Sequence, residues 1–462
     1  MTTIAAAATP PGSGAIGVIR LSGPDSLAAL SRLFVSASDK FSGFQPWKLH
    51  HGSLLDQQGE LLDDVLAVYM PGPNTYTGEE SAEIHCHGSA VTIRAILDEL
   101  FKLGVVQAEK GEFSRRAFLN GRMDLSQAEA VAELIAAPTR QAQRFSLKRL
   151  DGSLGLQTRK IRDLLDEARK IGALGMDFPD DELQACDMVQ FREITASAAA
   201  AIEALLKSAD SALLLEVGAT ILLVGSVNAG KSSLLNALAG RDRALVADLP
   251  GTTRDFLEIS LNLDGLAVKV IDTAGFRHDG EADELERQGM EKVFTLLAEA
   301  DAVVHVLDSS RIAPEYLADE EKIARKILEK WDGGKYLIAR NKIDIADTAT
   351  GLAPFFDALP ACGVSALTGE NLPEFNSFLG KALLDGPHES EGCLAPNARQ
   401  AQALSRALEE LKQLEDDLAA RVPLDCAMAR LDAACGQLDS LLGLAASSEI
   451  LERIFSSFCI GK

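Results

Sequence analysis

The chain is poor in cysteine, and what it has is unpaired in pattern. Its seven cysteines (Cys86, Cys186, Cys362, Cys393, Cys426, Cys435 and Cys459) are odd in number and scattered over 462 residues, with no CxxC. That is the usage of a reducing compartment, and a cytoplasmic location is expected. The sequence also lacks any apolar run of about 18 residues, so no membrane span is expected. Its opening, Met1-Thr2-Thr3-Ile4-Ala5-Ala6-Ala7-Ala8, has no basic stretch, so no secretory signal is expected. Positive charge is scarce: 45 Lys and Arg stand against 68 Asp and Glu, a net charge of −23. Such a surface repels phosphate backbones and excludes broad, sequence-independent nucleic-acid binding. It leaves room for a local basic surface. Arg115, Arg116, Arg122, Arg140, Arg144, Lys148 and Arg149 lie close in sequence, although taken alone they read as a solvated helix face. His85-Cys86-His87 has metal-ligand residue types, but no further ligand cluster accompanies it, and it reads as a strand end.

What is present is enough apolar material (47% of residues) for globular folding, over a length that calls for about two to four domains. One stretch carries clear chemistry. Gly225-Ser226-Val227-Asn228-Ala229-Gly230-Lys231-Ser232 follows the apolar run Ile221-Leu222-Leu223-Val224 and precedes the helix-like Ser233-Leu234-Leu235-Asn236-Ala237-Leu238. This is the P-loop pattern GxxxxGK[ST] between strand and helix. The glycines let successive backbone N–H groups turn inward around phosphate oxygens, and the following helix adds its positive end. Lys231 is placed to reach the β- and γ-phosphates and Ser232 to ligate Mg²⁺. A nucleoside triphosphate ligand is expected.

Asn341-Lys342-Ile343-Asp344, after the strand Tyr336-Leu337-Ile338-Ala339, names the base. The Asp344 carboxylate can accept from guanine N1–H and N2–H₂, donors that adenine does not offer there. A site built to pair such donors rejects the wrong ligand by roughly 10⁴ or more. Ser365-Ala366-Leu367 fits a loop supporting the guanine from the other side. Asp272-Thr273-Ala274-Gly275 closes the strand Val268-Lys269-Val270-Ile271; there Asp272 would hold Mg²⁺ through a water and the Gly275 N–H would sense the γ-phosphate. Gly251-Thr252-Thr253-Arg254-Asp255 lies between, with Thr253 placed to complete the Mg²⁺ shell. In this order the motifs describe a GTPase domain. Hydrolysis is less direct. Where Ras-type enzymes carry a water-orienting Gln, this chain has Phe276, and no arginine finger is assignable. A monovalent cation could supply the missing positive charge near the phosphates. The side-chain oxygen of Asn228 suits such an ion, and equally suits a merely structural place in the loop.

Along the chain, short strands such as Ile16–Arg20 and Val65–Tyr69 with a helix from Ser89 to Leu103 make the first ~120 residues an α/β unit. Ser126-Gln127-Ala128-Glu129 reads as a capping box opening a long Ala/Leu-rich helix, with helical periodicity to about Leu214. The GTPase domain follows from about Val217 to Lys381. A turn-rich link, Asp385-Gly386-Pro387 to Ala395-Pro396, leads to helices over Gln400–Ala420 and Ala427–Leu442. Helices before and after the GTPase domain are expected to pack together, making that domain an insertion. The chain ends in an amphipathic Ser448–Phe455 and then Phe458-Cys459-Ile460-Gly461-Lys462. Gly461 at the second aliphatic position argues against prenylation. Cys459 is open to three roles, as a nucleophile, a buried small hydrophobe or a thiol beside an RNA, and its side chain alone favours burial.

A GTPase domain set within helices and ending in FCIGK closely resembles the MnmE (TrmE) family of tRNA-modification GTPases. The resemblance spans essentially the whole chain and includes Thr9-Pro10-Pro11-Gly12, Phe113-Ser114-Arg115-Arg116-Ala117-Phe118-Leu119-Asn120 and Asp177-Phe178-Pro179. It implies a multidomain α/β plus α protein. Residues 1–120 would be an α/β tetrahydrofolate-binding and dimerisation domain, 121–216 with 382–462 a helical domain, and 217–381 an inserted Ras-like P-loop domain with a mostly parallel sheet. It implies a homodimer acting with the FAD-dependent MnmG, as a heterotetramer, on tRNA. A tetrahydrofolate one-carbon unit (5-formyl or 5,10-methylene) would build an aminomethyl or carboxymethylaminomethyl group at C5 of the wobble uridine. Arg20, Glu83, Arg122 and the terminal Lys462 would contact the folate, and Cys459 matches the cysteine that modification needs. Arg122 stands where relatives often carry Lys, which keeps the charge and alters the geometry; Ser89 replaces a usual glycine. K⁺ would replace the arginine finger, ligated by Asn228, carbonyls of Ala247 and Leu249, and Thr252. Nucleotide contacts would run through Asn228 to Ser233, Ala247, Asp248, Leu249, Pro250, Gly251 to Thr253, and Asp272 to Gly275. The water-orienting residue would be Glu286, with Glu284 as the alternative because His278 to Asp283 is longer than usual. The basic cluster then becomes a candidate tRNA surface. The G motifs alone also fit a ribosome-assembly GTPase without modification chemistry.

Overall fold

The structure is a computed structural model that describes residues 2–177, 184–207, 214–240, 257–263, 265–273, 295–311, 313–331, 333–346, 353–384, 394–445, 447–456 and 458–461. The chain is multidomain, with two α/β parts and a helical part. It divides into unit 1 (Met1–Ile135, Arg149–Glu203, Gln402–Lys462) and unit 2 (Ala136–Lys148, Ala204–Ala401). Among the described residues no helix is long and apolar enough to cross a membrane.

Unit 1 begins with a seven-stranded sheet of β1 (Ile4–Ala7), β2 (Ile16–Ser22), β3 (Phe34–Ser36), β4 (His50–Leu55), β5 (Leu61–Met70), β6 (Ser81–His87) and β7 (Val106–Gln107), in the order β3-β4-β5-β6-β2-β1-β7. Alternation along each strand sends successive side chains to opposite faces. Ile19 and Leu21 of β2, and Ala82 and Ile84 of β6, face the helices Ser26–Leu33 and Ala90–Lys102 and pack on Leu30, Leu33, Ile96 and Leu100. The intervening residues take the other face. Since Arg20 and Glu83 are antiparallel register partners, the pleat sets them side by side there.

The helical part differs from the sequence expectation in two places. The capping box is Asp124…Gln127, two residues before the expected Ser126…Glu129. The Asp124 carboxylate accepts from the Gln127 N–H (3.0 Å), while the Gln127 side-chain oxygen accepts from the Asp124 N–H (3.0 Å). Ser126 lies inside the helix Leu125–Ala136 and donates to the Asp124 cap. Nor is there one long helix. Pro138 lacks an N–H and biases the residue before it away from helical ψ, so the helix stops at Ala136 and a new one runs Arg140–Leu150. Gly152, at φ +83°, makes the next break, and Asp151 accepts from the Ser153 N–H (2.8 Å). Helix Ser153–Asp177 then packs on Leu424–Leu442 so closely that a Cβ at Gly172 would lie 2.2 Å from Met428 Sδ. Arg162–Asp439 and Arg169–Asp432 ion pairs flank that contact. Arg192–Glu415 and Lys412–Glu203 tie the helix Gln184–Leu206 to Ala398–Ala419.

Unit 2 is built on β8 (Ala219–Val224), β9 (Leu257–Leu263), β10 (Leu266–Asp272), β11 (Ala302–Asp308), β12 (Lys335–Asn341) and β13 (Ala361–Val364). The order is β13-β12-β11-β8-β10-β9, and every pairing is parallel except β9 with β10. Both faces are buried, as a parallel sheet wrapped by helices requires. Ile221, Leu223, Val304, Val306 and Leu337 face one core, and Leu222, Val224, Val303, Leu307 and Ile338 face the other. After β8 the chain goes first to one side of it, then to the other. The carboxyl end of β8 is therefore the switch point where such sheets open a ligand crevice.

Candidate functional site

At that switch point Gly225 leaves β8 and the loop ends in the helix Lys231–Ala239. At its two glycines the loop lies against its neighbours without room for a side chain. A Cβ on Gly225 would be 2.5 Å from the Val306 carbonyl oxygen, and one on Gly230 would be 2.1 Å from Asn341 Nδ2. Asn228 holds φ +69°, a left-handed conformation that Asn accepts more readily than most residues. Lys231 is only 5% exposed, and its Nζ donates to the carbonyls of Gly225 (2.9 Å) and Ser226 (2.8 Å). Burial holds its pKa below the usual lysine range, against the pull of Asp272 and Glu320. An anion in the loop would relieve that unfavourable charge.

Ser232 donates to Asp272 Oδ2 at 2.5 Å, bringing together the two residues expected at Mg²⁺. Burial pushes the Asp272 carboxyl up, and its Oδ1 is buried without a hydrogen-bond partner among the described residues. A hydroxyl and a carboxylate with a free oxygen form a hard-oxygen set that suits Mg²⁺. Thr273 is fully buried and donates to the Leu223 carbonyl (2.7 Å), fixing the end of β10 beside the loop.

The base side is organised by Asn341. Its Nδ2 donates to the Ala229 carbonyl (2.9 Å), and its Oδ1 accepts from the Ala366 N–H (3.0 Å). One buried side chain thus fastens the phosphate loop to the Ser365-Ala366-Leu367 loop. Ser365 is buried and takes the Thr368 N–H on its hydroxyl (3.1 Å), whereas Leu367 is exposed. Lys342 donates to the Asn228 carbonyl (3.0 Å) and to Asp308 Oδ2 (2.6 Å). Asp344 Oδ1 is buried and unpartnered among the described residues. An orphaned buried acceptor costs about 1–3 kcal/mol, and guanine carries the donors that would satisfy it.

The structure adds residues that motif reading passed over. Asp308 ends β11 and anchors Lys342; burial pushes its carboxyl up, but its bonds to Lys342 and Ser310 bring it below the usual range. The polar Asp308-Ser309-Ser310 after an apolar strand was the available signal. Ser233 is exposed on the first turn of the loop's helix. Ala247, Asp248, Leu249, Pro250, Gly251, Thr252, Thr253, Ala274, Gly275, Glu284, Glu286 and Lys462 lie outside the described residues.

In unit 1, Arg20 Nε and Nη2 reach Glu83 Oε1 at 2.9 and 2.8 Å, and His85 Nε2 lies 3.4 Å from Glu83 Oε2. The guanidinium stands over the rings of Tyr76 (5.7 Å) and Phe113 (6.0 Å). Tyr76 in turn bonds Ser114 at 2.8 Å. Arg122 is exposed and reaches the same loop at Gly78, where a Cβ would be 3.3 Å from Arg122 Cγ. His85-Cys86-His87 does end a strand, with His87 Nδ1 on Asp63 Oδ1 at 2.7 Å.

Two expectations need correction. Cys459 is exposed, not a buried hydrophobe; Phe458 takes the burial, packing with Phe455 on Leu125 and Val131. Ile460 bridges to Lys110, and Gly461, at φ +96°, presses on the Ala7 carbonyl at the end of β1, one residue from Ala6, the register partner of Arg20. The chain end is thus held at the sheet that carries Arg20. The basic cluster is also not one surface. Arg116 is 6% exposed and bonds Glu79 (3.0 Å) and Glu112 (2.8 Å), and Arg149 is fully buried against Glu133. Their charge is neutralised internally.

Comparison with known proteins agrees over the whole length. Residues 3–122 match the family described as GTP-binding protein TrmE N-terminus, and residues 125–459 match the MnmE helical domain. A protein of Nitratidesulfovibrio vulgaris (strain DP4) named tRNA modification GTPase MnmE is 44% identical over 466 residues, covering 100% of this chain and 99% of its own. Proteins of the same name from Lawsonia intracellularis and Natranaerobius thermophilus are 40% and 36% identical, each again covering 100% of this chain and 99% of its own. The chain belongs to the MnmE family of tRNA modification GTPases.

Proposed function

We propose that this chain hydrolyses GTP and couples that reaction to modification of the wobble uridine of certain tRNAs. The observation that carries the nucleotide reading is the pair of buried carboxylate oxygens unpartnered among the described residues, Asp272 Oδ1 beside Ser232 and Asp344 Oδ1 in the segment that Asn341 staples to the phosphate loop. Lys231 exchanges its two loop carbonyls for the β- and γ-phosphates. Ser232 and Thr253 would ligate Mg²⁺, with Asp272 holding it through a water. Glu286, or Glu284, orients the attacking water in place of the glutamine that Phe276 replaces. A K⁺ ion held by Asn228, the Ala247 and Leu249 carbonyls and Thr252 would supply positive charge at the bridging oxygen. Asn228 supports this by its exposed place on the loop, with its carbonyl already engaged by Lys342.

Family membership supports the second half. In this reading the chain is a cytoplasmic homodimer that works with the FAD-dependent MnmG on tRNA. Residues 1–120 bind a tetrahydrofolate derivative, 121–216 with 382–462 form the helical domain, and 217–381 form the GTPase domain. Arg20, Glu83, Arg122 and Lys462 surround the folate, which would supply the one-carbon unit for a C5 aminomethyl or carboxymethylaminomethyl group. The Arg20–Glu83 pair, roofed by Tyr76 and Phe113, offers charge and a ring surface to such a ligand. Cys459 is exposed, next to Ile460, which bridges to Lys110. Two measurements test the proposal together. GTP turnover is expected to be faster in K⁺ than in Na⁺, and tRNA from a deletion strain is expected to lose the modified wobble nucleoside by mass spectrometry. Equal turnover in the two salts refutes the ion's role, and unchanged nucleosides refute the modification.

A further inference from the structure

Below the phosphate loop lies a polar cluster that neither the motifs nor the hydrolysis scheme uses. His305 sits in β11 on the face of Val303 and Leu307, where the rest of the row is apolar, and it is fully buried. Polar groups are kept in such places only when they are hydrogen-bonded. Here each is. His305 Nε2 is 2.7 Å from Glu320 Oε2, and His305 Nδ1 is 2.7 Å from the Tyr336 hydroxyl. Glu320, in the helix Pro314–Leu328, has a side chain 1% exposed. Its other oxygen, Oε1, accepts the backbone N–H of Ser226 at 3.3 Å, the second residue of the phosphate loop. The Tyr316 hydroxyl accepts the Asp308 N–H at 2.9 Å and interacts with both Glu320 and Ser226. With the Tyr336 O–H donating to Nδ1 and Nε2–H donating to the carboxylate, every group in the chain is satisfied.

We propose that Glu320, oriented by His305, is a positioning residue of the phosphate loop: its carboxylate fixes the Ser226 amide and so the direction in which the following amides face the nucleotide. The inference rests on the reading of that loop as the nucleotide site. The Gly225–Ser226 peptide is gripped twice, by Glu320 at its N–H and by Lys231 at its carbonyl. When phosphate draws Lys231 away, the grip of Glu320 remains. Gly225, just before Ser226, has no side chain to pack and lies directly against the Val306 carbonyl. Burial pushes the Glu320 carboxyl up, but His305, Ser226 and Tyr316 outweigh it and hold it below the usual glutamate range. A charged acceptor is therefore maintained at the loop.

The test is titration of the full-length protein with fluorescent GDP and GTP analogues in Mg²⁺, alongside thermal melting. Glu320→Ala is expected to weaken both nucleotides by about 10-fold or more, the scale of a lost hydrogen bond to a charged group. Glu320→Gln keeps an acceptor for the Ser226 amide and is expected to bind nearly as wild type. Glu320→Met keeps the volume without the acceptor; it carries the same expected loss and reads the effect if the alanine variant does not fold. Ile327→Ala, a cavity in the same helix, is expected to lower the melting temperature and leave affinity unchanged. Wild-type affinity in Glu320→Ala or Glu320→Met overturns the inference, as does an equal loss in Ile327→Ala. A wild-type protein that binds neither nucleotide overturns the reading of the site itself, and this inference with it.

Discussion

The nucleotide site of unit 2 and the Arg20–Glu83 site of unit 1 solve opposite problems. In the first, key groups are left wanting among the described residues: Asp272 Oδ1 and Asp344 Oδ1 have no partner there, and the buried Lys231 finds only neutral carbonyls there as hydrogen-bond acceptors. In the second, the groups satisfy one another. Arg20 is paired with Glu83, Tyr76 with Ser114, and Arg116 with Glu79 and Glu112. A site of the first kind gains hydrogen bonds outright when its ligand arrives. A site of the second kind must exchange an existing ion pair for ligand contacts, so its net gain is smaller for the same number of bonds.

Two substitutions sharpen that contrast. The larger effect is expected from Lys231→Met, which should weaken GTP and GDP by about 10²-fold, the value of a phosphate-bound cation at a buried site. Nucleotide-free Lys231→Met should melt no lower than wild type. The sign follows from burial, which sets the folded pKa of Lys231 below its ordinary 10.5. The unfolded chain then binds the proton more firmly, so the charge opposes folding at neutral pH. That opposition fades as pH rises from the depressed value through 10.5. Paired melting and titration curves check both halves, and a variant that melts well below wild type breaks the picture of a site held in want of a ligand. The smaller effect on function is expected from Arg116→Leu. It strands Glu79 and Glu112 and should destabilise the protein by about 3 kcal/mol, while guanine-nucleotide affinity stays within about twofold. Calorimetric melting with the same titration reads it; a matching loss of nucleotide affinity would erase the distinction between the two sites.

The same contrast explains what was legible in the sequence. Phosphate-loop chemistry needs consecutive backbone amides, so Gly225 to Ser232 are consecutive, and their order shows directly. The parallel sheet was equally open, because Ile221–Val224, Val268–Ile271 and Tyr336–Ala339 are unbroken apolar runs. The unit 1 site is an accident of register. Arg20 and Glu83 meet only because β2 and β6 pair with Ile19 opposite Ile84, which no local pattern states; the family resemblance supplied those residues. Arg116 looked like surface charge because its partner Glu79 is far away in sequence. His305 and Glu320 were hidden for a related reason. Each is a lone polar residue within an otherwise apolar face, and only the packing of helix on strand shows that the two are one device. Cys459 was misjudged because Phe458 beside it claims the buried position.

The central claim is that unit 2 reads guanine through a carboxylate kept free for it. Its most direct measurement is competitive binding of GTP and xanthosine triphosphate to wild type and to Asp344→Asn. The account predicts that wild type prefers GTP and that Asp344→Asn reverses the preference, because the amide now offers a donor to the xanthine 2-carbonyl. Undiminished GTP preference in Asp344→Asn would contradict it.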